Sequence, residues 1–354
     1  MKKSLTLLLA SMLTVLMAVL CTAVAFLVWD AAQDLLQSQK AERLAAADRI
    51  LYQRLQTIRV RRVQPEFVLT REDAPQTKLE ELYKGVEADL RATSEALSAT
   101  GLTNAGERVR DLDAKFAAVT AGYRTVQDEG KKPRAERKIA ATQDWYRGVS
   151  GLLDSMAATS LIMSNEVRMV TPELAELIGV RQLSWNIRDH FGHECALTRL
   201  NVARGQAFTP DNLKSLNIDR GAVDLAWTTM GDVLSRPGAN AAIRAAYDGT
   251  RRASVALRER LDRLYAAVEP GKSLMDETQF TAECNSSFEA VVGIGLSALE
   301  VARQTVHDDV VAARFRLGLA GCCWRLSALA EGPASSWCAA SRGRCADSPV
   351  PSPS

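Results

Sequence analysis

The stretch LTLLLASMLTVLMAVLCTAVAFLVW, Leu5–Trp29, holds 25 residues with no charge, no Pro and no Gly. As a helix it would be roughly 37 Å long, enough to cross a hydrocarbon core of about 30 Å. A cleaved signal peptide is the rival reading, with Ala23-Val24-Ala25 as a small-residue cleavage site. Its apolar part is usually only about 7–15 residues long, which favours the anchor. A lipoprotein reading through Cys21 is weaker, because the preceding Leu20 is not small. Lys2 and Lys3 hold residues 1–4 in the cytoplasm by the positive-inside bias. With 5–29 as a single span in a bacterial inner membrane, most of the chain is expected in the periplasm.

Outward from this anchor the sequence reads as helix almost throughout. Ala, Leu, Arg, Glu and Asp dominate, and Gly and Pro sit mostly at breaks. Val63 to Gln76, with Pro65 and Pro75, is expected to be a break. Further stops fall at Thr100-Gly101, Gly130, Thr171-Pro172, Gly205, Arg236-Pro237-Gly238 and Glu269-Pro270-Gly271. The final helix is expected from about Leu274 to Arg316.

Two apolar seams step by three and four. One runs Ile243, Tyr247, Thr250, Ala253, Leu257, Leu261, Leu264, Val268; the other runs Phe280, Cys284, Phe288, Val291, Gly295, Leu299, Ala302, Val306, Val310. Such seams belong to antiparallel helical bundles. No region alternates with period two long enough to predict a strand. The expected fold class is all-α: a transmembrane helix, then an elongated antiparallel bundle of two four-helix units. The expected modules are 30–170 and 171–316, followed by a disordered or out-of-frame tail at 317–354.

A net charge of +2 gives no electrostatic reason to expect nucleic acid as a partner. Before the tail, the outer region has only Cys195 and Cys284, read as two free thiols. There is no phosphate-cradling Gly loop, no HExxH and no CxxC, so neither enzyme activity nor a cofactor is expected. His190 and His193 share a helical face but supply only two ligands, short of the three or four that a metal site needs.

One stretch is dense in unusual residues: Trp185-Asn186-Ile187-Arg188-Asp189-His190-Phe191-Gly192-His193-Glu194. On a helix, Trp185, Arg188, Asp189 and Gly192 fall on one broad face. Gly192 costs a helix up to about 1 kcal/mol relative to Ala, so close packing or ligand approach would justify it. A weaker counterpart, Ile58-Arg59-Val60-Arg61-Arg62, ends the first helix. Guanidinium forks match carboxylate, nitrate or phosphate oxygens. Arg188, Trp185, Arg59 and Arg62 are therefore the candidate residues for a small, anionic ligand. The bland alternatives are an Arg188–Asp pair inside a bundle and a solvated basic helix end.

The anchor, the helical outer region and the aromatic–Arg–Asp–x–x–Gly helix leading into Gly205-Gln206-Ala207-Phe208-Thr209-Pro210 resemble the sensor half of bacterial methyl-accepting chemotaxis proteins. The Arg59–Arg62 end is also similar to helical nitrate-sensing receptor domains, although the Gln and the Glu-Arg-Gly of their motif are missing. The resemblance covers Met1 to about Arg316. It implies a homodimeric transducer whose periplasmic region senses a small molecule. It also implies a second membrane span, a HAMP linker and an output domain. The same sensor would serve a histidine kinase or a GGDEF-type cyclase. A membrane-tethered helical scaffold or interaction protein is the alternative of a different class.

The tail bears on that expectation. Gly321-Cys322-Cys323-Trp324-Arg325, read from the third base of each codon, encodes a fixed Leu-Leu-Ala after one Leu, Val or Met. Further on, shifted codons permit an apolar run, Val-Arg, and then Pro-Leu-x-x-Leu, the way a second span enters a HAMP linker. The tail is thus read as a frameshifted second span, and the product as a truncated receptor.

Overall fold

The structure, a computed structural model, describes the backbone of residues 2–169 and 171–342, and the side-chain surroundings of 8–9, 11–169 and 171–322. The chain is all-α over these residues, and the only β-type pairing among them is an isolated bridge between Glu269 and Lys272. In order, the helices are α1 (Lys2–Arg61), α2 (Gln64–Arg71), α3 (Gln76–Ser98), α4 (Ala105–Gly130) and α5 (Thr142–Arg168). They continue with α6 (Pro172–Arg204), α7 (Pro210–Leu234), α8 (Ala241–Ala266), α9 (Glu277–Asn285) and α10 (Phe288–Arg342). Two short 3-10 turns, Arg134–Glu136 and Ile139–Ala141, lead into α5.

Contacts group the chain into two units. One is Lys40–Thr305; the other joins the segment ending at Gln39 to the segment that resumes at Val306. The helix junction at Thr171-Pro172, expected as a module boundary, lies inside the first of these. The other unit contains the N-terminal part of α1, long and apolar enough to cross a membrane. Leu8, Leu9, Met12, Leu13, Val15, Leu16, Val19 and Leu20 are all exposed there, as a lipid-facing helix requires. Within the same unit Arg316 pairs with Asp34 at 3.1 Å.

Helix starts follow local chemistry. Thr171 accepts from the Leu174 N–H at 3.2 Å, with Pro172 in the first turn of α6. Thr209 does the same for Asn212 at 3.1 Å before Pro210. Asn240 caps α8 and Asp276 caps α9 through backbone N–H groups. Such caps satisfy donors that a helix start leaves unpaired. Gly205 ends α6 at φ 60, and a Cβ there would overlap the backbone of Glu269 and Lys272. Only Gly allows both the left-handed turn and that close approach.

Four expectations need correction. The segment Val63 to Gln76 is not simply a break: Pro65 falls in the first turn of α2, where no N–H is needed, so a helix forms. The final helix does not run unbroken from Leu274, because Ser286-Ser287 separates α9 from α10 and Ser286 Oγ donates to the Glu283 carbonyl at 2.6 Å. Short polar side chains of this kind compete with the helix ladder for backbone groups. Helical backbone also continues past Arg316 to Arg342, over part of the tail expected to be disordered or out of frame. The remaining tail, with Cys345, Pro349, Pro351 and Pro353, lies outside the described residues. Lastly, Cys195 and Cys284 are joined in a disulfide with Cα atoms 6.2 Å apart. Both sit on buried stripes of α6 and α9, and these stripes face each other.

The α9–α10 seam is buried from Phe280 to Val310. The α8 seam is narrower than its spacing suggests. Ile243, Thr250, Leu257 and Leu261 are buried, whereas Ala253 is exposed. In the core of Lys40–Thr305, Arg181 reaches Asp48 at 3.3 Å, and both are buried. Ser164 donates to Asp48 at 2.9 Å, and Ser160 bonds both partners. This polar cluster ties α1, α5 and α6 together.

Candidate functional site

The ends of α1 and α2 are each fixed by a side chain that donates to backbone carbonyls. The Trp145 indole N–H donates to the Arg62 carbonyl at 3.1 Å. Arg137 donates to the carbonyls of Leu69, Glu72 and Asp73, at 3.1, 2.6 and 2.7 Å, and so holds the C-terminal end of α2. Between these fixed ends and helices α6, α9 and α10 lies a cavity of about 530 Å³. Its lining includes Arg59, Arg62, Arg71, Arg188 and Arg199, with Glu66 the one carboxylate. Phe67, Phe280, Phe288 and the Cys195–Cys284 bridge supply apolar wall.

Three of the four candidate residues meet there: Arg59, Arg62 and Arg188. Trp185 does not line the cavity. It is buried behind it, edge-on to Tyr52 with ring centres 5.7 Å apart, and the Arg59 guanidinium sits 5.7 Å from its ring centre. Arg59 is taken up by Asp189 in an ion pair. Arg62 rests 4.5 Å from the centre of the Tyr146 ring and donates to Ser150 at 3.2 Å.

Arg188 is the unusual member. Its side chain is 5% exposed. Its Nε donates to Gln56 Oε1 at 3.1 Å, and its guanidinium carbon lies 3.7 Å from the centre of the Phe288 ring. Among the described residues no carboxylate pairs with it, and its two terminal nitrogens have no protein acceptor. Burial, followed by the charges of Arg59 and Arg62, lowers its pKa from the usual guanidinium range to about 9. Gly192 makes room for it: a Cβ there would overlap Arg188 Nη1. The in-bundle Arg–Asp pair that the sequence allowed for Arg188 is found instead at Arg181 and Asp48.

Arg199 is partly neutralised by Glu66 at 3.3 Å, and Arg71 stands 5.1 Å from the Phe67 ring centre. Neither was singled out by the sequence. Arg71 lay in the supposed break, and Arg199 showed only as a helical arginine three turns beyond Arg188. The helical phase of Arg199 with Arg188, eleven residues apart on α6, was the available signal.

Nearby, His190 and His193 place their Nδ1 atoms 2.9 and 2.6 Å from the two oxygens of Asp219. Glu194, fully buried, is held by Arg220 at 3.0 Å. Burial pushes its carboxyl above the ordinary range.

Compared with family models, curated proteins and solved structures, the chain shows no match.

Proposed function

We propose that this chain is the ligand-sensing region of a membrane-anchored signal transducer of the chemoreceptor type, and that the cavity beside Arg188 takes a small anion. In this reading residues beyond the anchor lie in the periplasm, and the protein works as a homodimer in the inner membrane. The carrying observation is Arg188. A buried guanidinium without a carboxylate partner is costly, and it faces a cavity alongside two more arginines. A scaffold needing no ligand would have no use for this arrangement. The Cys195–Cys284 disulfide supports a compartment outside the cytoplasm, where such bonds persist. Arg59 and Arg62 sit at the end of α1, the helix that carries the apolar span. An anion drawing on them would bias the position of α1, by a displacement of about 1–2 Å of the kind used in receptor switching.

The test is a thermal-shift screen of the purified full chain with nitrate, dicarboxylates and amino acids, on wild type and Arg188→Lys. Lysine keeps the charge but loses the fork. An anion should raise the wild-type Tm and act less on the variant. If no anion does so, or if the variant responds equally, Arg188 is not a ligand residue and the reading fails.

A further inference from the structure

We propose that the ligand of this cavity is an elongated organic dianion, with a carboxylate at each end and an apolar body between; this rests on the anion-sensing reading above. The argument starts from α6. Arg188, Gly192, Cys195 and Arg199 follow one another at i, i+4, i+7 and i+11, a single stripe of one helical face, and all four line the cavity. Eleven residues of helix place the two arginines about 16 Å apart along the axis. The site therefore has two cationic ends rather than one.

At the near end are Arg188 and Arg62. At the far end Arg71 and Arg199 share one aromatic ring, Phe67, at 5.1 and 5.5 Å from its centre. Arg199 is committed to Glu66, but Arg71 is exposed and pairs with no carboxylate among the described residues. Asp276, which feels the charge of Arg71, is occupied in capping α9 through the Thr278 and Gln279 N–H groups. Between the two ends the wall is apolar. Gly192 contributes no side chain, the Cys195–Cys284 bridge follows it, and Phe288 closes the side beneath Arg188. A nitrate-sized ion would contact one end of a space of about 530 Å³ and leave the rest to water. A volume in this range suits an organic molecule, with the charges fixing its orientation.

Calorimetric titration of the full chain in nanodiscs tests this with four probes: octanedioate, 8-hydroxyoctanoate, butanedioate and nitrate. Octanedioate should bind roughly tenfold or more tightly than 8-hydroxyoctanoate, which keeps the body and one charge, and more tightly than butanedioate. Arg71→Gln, at an exposed position that does not threaten folding, should erase most of that advantage, weakening octanedioate far more than 8-hydroxyoctanoate. Equal affinity of octanedioate and 8-hydroxyoctanoate in wild type overturns the two-ended site. So does equal weakening of both by Arg71→Gln, or butanedioate binding as tightly as octanedioate. Should nitrate alone bind, the two-ended ligand is wrong and the anion sensor stands. Should none of the four bind, both readings fall.

Discussion

The guanidinium carbon of Arg188 lies 3.7 Å from the centre of the Phe288 ring, while the adjacent carboxylate, Asp189, pairs with Arg59. A desolvated cation–π contact is worth about 2 kcal/mol. That is less than the several kcal/mol a buried charge costs, so Arg188 remains a net liability to the ligand-free fold. Replacing it with an apolar side chain of similar length should remove the liability. Arg188→Met should therefore leave ligand-free stability within about 1 kcal/mol of wild type or raise it. The same variant should abolish any anion-induced rise in Tm. Denaturation with and without anion reads both; a loss of several kcal/mol without anion would make Arg188 a structural residue.

Gly192→Ala separates binding from folding more cleanly. Ala is favoured over Gly in a helix by about 0.8–1 kcal/mol, so the variant should be as stable as wild type or slightly more so. Its Cβ would displace Arg188 Nη1, the far end of a flexible side chain, and so move the fork in the cavity. Anion affinity should fall about tenfold, a cost of about 1.4 kcal/mol. Unchanged affinity in titration would mean the fork does not hold the ligand.

A pH series tests the charge itself. The Arg188 pKa is lowered to about 9 by burial, then by Arg59 and Arg62. The unfolded chain keeps the ordinary, higher value, so it holds this proton more tightly. The cost of the charged side chain is thus present in full below about pH 9 and is released as pH rises through it. An anion offsets that cost only while the guanidinium is charged. The anion-induced Tm shift should be flat from about pH 6 to 8 and shrink above about pH 9. A shift that persists undiminished at higher pH would point to other groups as the anion's partners.

Several helix ends were legible because their signals are local. The breaks at Thr171-Pro172 and Gly205 are signalled within a few residues of chain, and they fall at the start and the end of α6. The α9–α10 seam was legible because every third or fourth residue is apolar. Partnerships across the bundle were not. Cys195 and Cys284 are 89 residues apart, and nothing local says that their stripes face each other. The pairing of Arg181 with Asp48 was hidden in the same way, since each reads as an ordinary helical charge. Arg188, Arg59 and Arg62 stood out through unusual neighbours, and the structure brings them to one cavity. Arg71 escaped notice because two prolines made its surroundings read as a break. Trp185 drew attention for its rarity, yet its ring packs behind the cavity on Tyr52.

The Asp48–Arg181 pair predicts a different mutational pattern from Arg188. Asp48→Ala leaves Arg181, 2% exposed, without its carboxylate. Removing one partner of a buried pair costs about 3–5 kcal/mol. Replacing both, as Asp48→Leu with Arg181→Met, should recover most of that loss, because the double variant buries no charge. A double variant as unstable as Asp48→Ala in chemical denaturation would show that packing, not the unpaired charge, causes the damage.

The disulfide makes a prediction with two readouts. A bridge closing a loop with a sequence separation of 89 restricts the unfolded chain strongly. Losing it should cost about 2–5 kcal/mol. Because Cys195 and Cys284 also form the middle of the cavity wall, the loss should be felt in binding as well. The bridge ties α9 to α6, and without it α9, only 9 residues long, relies on Phe280 and its Asp276 cap. The paired variant Cys195→Ser and Cys284→Ser should therefore melt well below wild type and bind anion more weakly. Wild type in strong reductant should behave the same way, whereas reductant should have no further effect on the variant. A thermal melt in each condition decides it. If reductant leaves the wild-type Tm unchanged, the two sulfurs are not bonded in solution.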